Sequence, residues 1–443
     1  MNYHSAIKKL MSLTDFERSF KNPTNRIFKL DRMHFLLKEL GNPQNETPAI
    51  HIAGTKGKGS TASMIESILN HSGYTTGLFT SPHLNKFTER IRISNQPISD
   101  NQFASLVDKI WPKLKSVESN TSLGSVTTFE MLTAMAFLHF KEMNVDFQIV
   151  EVGMGGRLDS TNVLNPITSV ITRISLDHTE TLGNTISAIA EEKAGIIKPN
   201  VPAIFAPQVA DAEKVFTNKA KLLNAPLTSV KEKFSWKITD RNSLKQNFEI
   251  NGELSSYSIE TNLLGDHQVD NAATSIATAE TLSKVGVLIK PTSIIHSFQQ
   301  INLKGRFQFI ESNKIKFILD GAHNPDSIRR LVRSFKKYFN PKKVILVFGC
   351  IHGHDYKKML ISLSKINPVV IISKSRHPKS IEPLDILKQF DSFHLDSLQP
   401  TVSDAIGKAL TLATNEDIIL VTGSFSIVGE TLEKLEGIKP EIY

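Results

Sequence analysis

The chain has 443 residues, 40% hydrophobic and 22% charged, and this length predicts two or three domains. The net charge of +8, from 52 Lys and Arg against 44 Asp and Glu, suits polyanionic small substrates, whereas no dense basic block indicates nucleic acid. The single cysteine, Cys350, excludes an internal disulfide and a cysteine-based zinc cluster, and neither a signal-peptide core nor a membrane-length apolar run occurs. We therefore expect a soluble cytoplasmic protein that binds neither nucleic acid nor membranes.

The first part of the chain alternates predicted strands and helices. A polar helical segment is expected over 1–47, and an apolar run at 49–53 leads into a glycine-rich turn and a helix that opens at about Ser60. The elements that follow are strands at 75–80, 147–152, 167–174 and 202–206, a short exposed strand or ordered loop at 88–94, and helices at 128–141 and 185–195. This alternation predicts a mostly parallel sheet with helices on both faces.

The second part begins with a different pattern. Residues 232–264 alternate as antiparallel strands do, and a helix is predicted at 269–284. Four more strands are then expected, each followed by a loop and a helix, at 316–319, 344–348, 369–373 and 418–421. We place a domain boundary near residue 302, so that 1–302 forms a P-loop-type domain with a mostly parallel sheet and 303–443 forms a smaller Rossmann-like α/β domain.

The glycine-rich turn at 54–60 is the first candidate for a binding site. Three glycines in six residues let several backbone N–H groups point into one concavity, and the helix that follows adds its positive end, so the turn favours phosphate. Lys58 would reach the β- and γ-phosphates, and Ser60 would hold Mg²⁺. The motif is not a strict P-loop because Gly59 separates Lys58 from Ser60. A glycine-rich turn that serves packing alone therefore stays as the alternative.

Polar residues follow several predicted strands, at 54–60, 80–83, 151, 177–178 and 320–324. Ligands of open parallel sheets bind beyond the carboxyl ends of the strands. Glu151 is the most telling of these residues, because a carboxylate at the end of an apolar strand must be paired or hold a cation. A cap on the following glycine-rich turn is its alternative role. Taken alone, His178 is more typical of a structural hydrogen bond, and Lys193 of a solvated helix residue.

A series of motifs brings in a resemblance. They occur in this order along the chain: HIAGTKGKGS (51–60), TSPHL (80–84), TERIR (88–92), EVGMGGRLD (151–159), LDHT (176–179), EKAGI (192–196), GRFQ (305–308) and LDGAHNP (319–325). Together they resemble the folylpolyglutamate synthase/dihydrofolate synthase family, a branch of the Mur ligase superfamily, over nearly the whole chain.

The resemblance implies an ATP-dependent amide ligase. ATP would phosphorylate a substrate carboxylate, and the amino group of L-glutamate would attack the acyl phosphate. The carboxylate would belong to dihydropteroate, to (tetrahydro)folate at its γ-position, or to both. The implied cofactors are ATP and Mg²⁺, with K⁺ as a further ion, and the expected assembly is a monomer.

The resemblance also implies roles for individual residues. Catalytic roles fall to Lys58, Lys193 and His323. ATP contacts fall to Thr55, Gly57, Lys58, Gly59, Ser60, Thr61, Asn271, Arg306 and Asp320. Metal contacts fall to Ser60, Ser81, Glu151, His178 and Lys193, the last as a carbamylated lysine. Substrate contacts fall to Ser81, Pro82, His83, Thr128, Phe129, Glu130, Arg157, Leu158, Asp159, His323 and Ser424. Phe129 would stack on a pterin, and Asp320, His323 and Ser424 would lie near glutamate.

Three positions depart from the family pattern. Lys56 stands where the family often has Asn, which adds positive charge beside the phosphates. Lys304 replaces a frequent proline, which would loosen an interdomain hinge. His354 takes a place often held by Lys, so the loop at 350–355 is given no role.

Three other functions are weighed against the ligase. A Mur-type ligase acting on a cell-wall nucleotide precursor is the nearest rival, and the motifs at 81–84 and 88–92 favour folate over it. A P-loop kinase or GTPase-like switch is disfavoured by the shifted Lys58 and by the absence of a guanine-reading Asn-Lys-x-Asp. A catalytically dead nucleotide-binding module is disfavoured by the intact set of Lys58, Glu151, His178 and Lys193.

Overall fold

The structure is a computed structural model that describes residues 1–19, 30–120, 123–388 and 394–441. An eight-stranded sheet organises its N-terminal part, in the spatial order β4-β3-β2-β5-β1-β6-β7-β8. The strands are β1 (Ala49–Ala53), β2 (Thr76–Phe79), β3 (Ile91–Ile93), β4 (Gln96–Pro97), β5 (Phe147–Glu151), β6 (Thr168–Ile171), β7 (Ala203–Phe205) and β8 (Leu227–Ser229). All neighbours pair in parallel except β2–β3 and β3–β4.

Helices cover both faces of this sheet. They are α1 (Tyr3–Met11), α2 (Leu30–Glu39), α3 (Lys58–His71), α4 (Asp100–Ser119), α5 (Thr128–Glu142), α6 (Thr179–Leu182), α7 (Ile186–Ala194), α8 (Ala210–Leu222), α9 (Val230–Lys233), α10 (Asp266–Lys284) and α11 (Pro291–Gln300). Successive residues of β5 point to opposite faces, so Ile149 packs with α3, α10 and α11 whereas Val150 packs with α1, α4 and α5. Burial on both faces explains why the central strands read as continuous apolar runs.

Two further sheets complete the fold. Strands β9 (Ser235–Arg241), β10 (Gln246–Asn251) and β11 (Ser256–Thr261) form an antiparallel sheet. The C-terminal sheet has the order β12-β13-β17-β14-β15-β16. It contains β12 (Gln308–Ser312), β13 (Ile315–Asp320), β14 (Val344–Phe348), β15 (Val369–Ser373), β16 (His394–Gln399) and β17 (Ile418–Thr422). Its helices are α12 (Pro325–Tyr338), α13 (Tyr356–Leu363), α14 (Pro383–Leu387), α15 (Val402–Leu412) and α16 (Phe425–Glu436). Only β12 runs antiparallel, to β13.

The predicted fold class of two α/β units, the first mostly parallel, is confirmed, but several element predictions need correction. The segment predicted as helical over 1–47 contains α1 and α2 with non-helical residues after each, and its residues 20–29 lie outside the described ranges. Residues 88–94 are largely buried rather than exposed: a 3₁₀ turn at Phe87–Arg90 leads into β3, and Thr88, Arg90 and Ile91 are buried. Helix α3 begins at Lys58 rather than at Ser60, and α10 begins at Asp266 rather than at 269. No helix within the described ranges is long and apolar enough to cross a membrane.

Candidate active site

The main cleft of the described residues lies between the N-terminal and C-terminal sheets and has a volume of about 830 Å³. Predicted site residues from both sides line it: Thr55, Gly57, Lys58, Gly59, Ser81, Pro82, His83, Phe129, Glu130, Glu151, Leu158, Asp159, His178, Arg306, His323 and Ser424. A smaller adjoining pocket of about 100 Å³ is lined by Gly57, Ser60, Asn271, Arg306 and Asp320. Thr61, Thr128, Arg157 and Lys193 line neither cavity.

The glycine-rich loop has a shape that its neighbours fix. The backbone N–H groups of Thr55 and Lys56 both donate to the Arg173 carbonyl at 3.0 Å. Gly57 has a φ of +89°, and a Cβ on it would lie 2.3 Å from the Asn271 Oδ1 atom. Helix α3 begins one residue later, so its first free N–H groups belong to the loop itself. This arrangement is one that binds phosphate.

Gly57→Ala tests that shape. The variant must adopt a left-handed backbone and also push Asn271 aside, so we expect its affinity for ADP to fall by about 30-fold or more, as measured by calorimetry. Gly73→Ala is the matched control, because Gly73 has a similar φ of +91° with nothing within 4 Å of its Cβ position. Both variants should lose stability, whereas only Gly57→Ala should lose nucleotide. Equal ADP affinity in Gly57→Ala and the parent would contradict the assignment.

Glu151 and Lys58 form a charged pair at the floor of the cleft. Glu151 is 3% exposed, its Oε1 lies 3.7 Å from the Lys58 Nζ, and its Oε2 accepts the Ser81 N–H at 3.2 Å. Burial raises the pKa of Glu151, although Lys58 and Arg306 act in the opposite direction. A buried carboxylate with one hydrogen-bonded oxygen and one looser ion pair has capacity left for a further cation.

Lys193 is a second buried charge on the same side. Its side chain is enclosed, and its Nζ lies 3.4 Å from the Gly155 carbonyl oxygen. Burial, helped by the nearby Lys58, lowers the pKa of Lys193 to about 7. The expectation from sequence pattern alone, a solvated helix residue, is therefore wrong. Asp159 lies close enough to interact with Lys193, but its oxygens already accept hydrogen bonds from Met154 and Thr161.

The C-terminal part of the site contributes His323 and Ser424 to the main cleft and Asp320 to the adjoining pocket. Asp320 accepts N–H groups of Phe307 and Ala322, each at 2.8 Å, and burial raises its pKa to about 6. Burial lowers the pKa of His323 to about 3, so the ring is neutral, and its Nδ1 lies 2.9 Å from the Gly321 carbonyl oxygen. The Ser424 hydroxyl caps helix α16. The neutral ring of His323 leaves Nε2 as an acceptor that faces the cleft.

Several of the predicted substrate residues also have structural partners, and their role as substrate ligands stays a prediction. Glu130 pairs with Arg32 at 2.8 Å and also caps α5 through Thr127. Arg157 is exposed and pairs with Glu192, and the Thr128 hydroxyl donates to a backbone carbonyl. Phe129, in contrast, packs its ring directly over Gly153, where a Cβ would lie 2.5 Å from it. Of the predicted pterin side, Phe129 and Leu158 are the apolar residues that line the cleft.

Sequence reasoning missed the guanidinium of Arg90, which lies in the cleft wall. Its Nε donates to His83 Nδ1 at 2.8 Å, and its two terminal nitrogens bind the Glu17 carboxylate at 3.0 and 2.6 Å. The position of Arg90 inside the TERIR motif is the sequence feature that could have identified it as a site residue. Its partner at Glu17, from a non-helical segment 73 residues away, had no signal in the sequence.

Two of the departures from the family pattern acquire a physical explanation. Lys56 does not simply add charge beside the phosphate loop, because its Nζ pairs with Asp177 at 2.9 Å. Lys304 forms an ion pair with Glu436 of α16 at 2.7 Å, so the lysine at this position is held to the C-terminal domain. The His354 ring lies 5.1 Å from the His323 ring, centroid to centroid, which places the 350–355 loop at the cleft.

The carboxylates and imidazoles of the site bear on how a metal ion could bind. Within the described ranges, no three His, Cys, Asp or Glu side chains converge into a metal cage. Mg²⁺ does not require one, because it usually takes one or two carboxylates together with phosphate oxygens and water. The spare capacity of Glu151, beside Ser81, fits that mode of binding.

Two family profiles match the chain. The Mur ligase middle domain matches residues 52–279, and the Mur ligase glutamate ligase domain matches residues 305–425. Together they cover both walls of the cleft.

Characterised relatives match along nearly their full lengths. The chain is 35% identical to the dihydrofolate synthase/folylpolyglutamate synthase of Bacillus subtilis, over 92% of this chain and 95% of the relative. It is 32% identical to the folylpolyglutamate synthase of Lacticaseibacillus casei, over 99% of both chains. Among solved structures, Mycobacterium tuberculosis folylpolyglutamate synthase with ADP and AMPPCP superposes with a TM-score of 0.86 at 30% identity, covering 94% of this chain and 96% of that one. E. coli FolC with DHPP and ADP superposes with a TM-score of 0.85 at 28% identity, covering 99% and 98%.

Proposed function

The chain belongs to the folylpolyglutamate synthase/dihydrofolate synthase family of Mur ligases and is an ATP-dependent amide-forming ligase, and we propose that it joins L-glutamate to a pterin-bearing carboxylate. The carboxylate is that of dihydropteroate, the γ-carboxylate of (tetrahydro)folate, or both. Relatives named for both activities, and the E. coli structure with DHPP and ADP, support this substrate class.

One observation carries the proposal: the phosphate loop and the C-terminal residues His323 and Ser424 line a single cleft. A ligase of this kind must hold ATP and an acceptor carboxylate on one side and an amine on the other. Transfer of the γ-phosphoryl group depends on positioning and on charge neutralisation. Lys58 and the N–H groups of the loop neutralise charge on the phosphates, and Arg306, which lines both cavities, reaches the same region.

The second half of the reaction needs a free amine. The ammonium group of glutamate must lose a proton before it attacks the acyl carbon and displaces phosphate. His323 is neutral and its Nε2 is the acceptor nitrogen, so it can accept a hydrogen bond from the amine at the C-terminal wall and orient it, whereas its low pKa means that the released proton passes on to solvent. Because an acyl phosphate is easily hydrolysed, enclosure between the two sheets protects it from water.

The ions and the remaining site residues belong to the same proposal. Glu151, with the hydroxyls of Ser60 and Ser81, would hold Mg²⁺, which supplies charge neutralisation to the phosphates. His178 and a carbamylated Lys193 would hold a second ion, Mg²⁺ or K⁺. The lowered pKa of Lys193 supports carbamylation, because only a neutral amine reacts with CO₂. Monomeric assembly, a cytoplasmic location and a domain boundary at residue 302 complete the proposal.

A turnover experiment tests the proposal. The protein is incubated with ATP, Mg²⁺ and L-glutamate together with dihydropteroate or tetrahydrofolate in separate reactions, and phosphate release and product mass are measured. We expect each turnover to release one phosphate and to add one glutamate to at least one of the two acceptors. Turnover with one acceptor alone identifies the activity, and turnover with neither contradicts the folate assignment. A UDP-linked cell-wall precursor is the control acceptor, and we expect no product from it.

A further inference from the structure

The phosphate loop is tied to the C-terminal wall by one carboxylate, that of Asp177. Its Oδ2 accepts the Lys56 Nζ at 2.9 Å and the Asn324 Nδ2 at 3.1 Å. Lys56 belongs to the loop itself, whereas Asn324 follows β13 of the C-terminal sheet. One oxygen therefore joins the part of the site that handles phosphate to the part that faces it.

Each end of this contact is rigidly held. On the loop side, the Thr55 hydroxyl donates to the Ser175 carbonyl at 3.2 Å, so the 173–177 segment moves with the loop. On the other side, the Asn324 Oδ1 accepts the Ser327 N–H at 3.0 Å and caps helix α12. Because both partners are fixed to secondary structure, loss of the shared carboxylate contact would change the distance between the phosphate loop and the C-terminal wall.

The contact is also enclosed enough to matter energetically. The side chains of Lys56 and Asp177 are 15% and 11% exposed, and Asn324 is buried. Charge-assisted hydrogen bonds in such surroundings are stronger than pairs at the open surface. His323 directly precedes Asn324, so the tie ends beside the residue that can accept a hydrogen bond from the amine.

We propose that Lys56, Asp177 and Asn324 form a latch that holds the cleft closed while the acyl phosphate waits for the amine, with Asp177 as its positioning residue. None of the three has a role in the chemical steps of the proposed function. This assignment rests on the proposed function, because it supposes an acyl phosphate on the loop side and an amine on the C-terminal side. An open latch admits water, which attacks the acyl phosphate and returns free carboxylate and inorganic phosphate without forming an amide.

The latch can be cut without removing the helix cap. Asn324→Asp keeps an N-cap side chain of equal quality but replaces the amide donor with a second carboxylate that faces Asp177. Asp177→Asn removes the charge that Lys56 pairs with. The double variant Asp177→Asn/Asn324→Asp exchanges donor and acceptor and restores a hydrogen bond across the cleft. Asn2→Asp is the control, because Asn2 caps α1 in the same way and does not line the cleft.

Three measurements are made on the parent and these variants. They are the amide formation rate, the ratio of phosphate released to amide formed, and the radius of gyration by small-angle X-ray scattering without substrates. Each single variant should form amide about tenfold more slowly, release more than one phosphate per amide, and scatter as a more open particle. The double variant should recover part of all three, and Asn2→Asp should match the parent.

The outcomes separate the latch from the function. Failure of the parent to ligate glutamate overturns the proposed function, and the scattering of the variants still decides whether the contact closes the cleft. If both single variants keep the parent's scattering and its phosphate-to-amide ratio, there is no latch. The same conclusion follows if the double variant is as impaired as the two single changes combined, because no coupling then exists between the side chains.

Discussion

Replacement of Lys58 by alanine should lower ATP-dependent phosphate release by about 10³-fold or more, because phosphoryl transfer depends on positive charge held beside the loop. Among the described residues, Lys56 is already paired with Asp177 at 2.9 Å, and Arg306, which reaches the same region, interacts with Glu151 and Asp320. The loss should appear mainly in kcat, since the backbone of the loop still binds the nucleotide. Single-turnover measurement of ADP formation in the presence of the acceptor is the direct readout.

Two comparisons separate this effect from a general loss of structure. Lys342→Ala removes a lysine that pairs with Glu416 at the exposed surface, and it should leave phosphate release unchanged. Lys58→Met retains most of the side-chain volume and should be as inactive as Lys58→Ala. Activity of Lys58→Ala within a few-fold of the parent, with the same melting temperature, would show that another group neutralises the phosphates.

The strands could be predicted from the sequence where both faces of the sheet are buried. Strands β14 and β15 have the predicted limits, because Val344–Phe348 and Val369–Ser373 are apolar runs that pack on both faces of the sheet. Strand β12 was missed because its residues are only half-buried at the edge of the sheet. Helix α4 was missed because it is largely polar and carries Pro112, which lowers helix propensity.

The candidate site was readable to the extent that its chemistry is local. The glycine-rich loop can be recognised from ten consecutive residues, because its backbone conformation requires glycine. The long-range partners of its side chains cannot be recognised in this way. Lys56 and Asp177 lie 121 residues apart in the sequence. Their ion pair offsets the positive charge that the sequence led us to expect beside the phosphates. Glu130 is predicted as a substrate ligand from its motif, and its ion pair with Arg32, 98 residues away, had no signal in the sequence. Only tertiary packing decides such cases.

Lys193→Ala should reduce glutamate ligation by about 10²-fold, the size of effect seen when a residue that shapes a metal site is lost. In the structure the Lys193 amine is enclosed, and its pKa is about 7 where an ordinary lysine has a pKa above 10. Near neutral pH a large fraction of the amine is therefore uncharged. It can add CO₂ and release a proton, which would leave an anionic carbamate within electrostatic range of Lys58. At pH values below about 7 the amine is protonated and this addition stops, so at a fixed, low concentration of dissolved CO₂ the activity should fall as the pH falls.

Chemical rescue distinguishes a carbamate from a structural lysine. Acetate or propionate should restore part of the activity of Lys193→Ala, because a small carboxylate can occupy the space and carry the missing charge. Lys198→Ala is the control: burial also lowers the pKa of Lys198, but its Nζ donates to the Asn162 carbonyl at 3.1 Å, so added carboxylate should bring no rescue.

With ¹³C-bicarbonate, the parent and Lys198→Ala should each show a carbamate carbon signal that Lys193→Ala lacks. Full activity of Lys193→Ala without any additive would exclude the carbamate, since a metal ligand cannot be lost without effect.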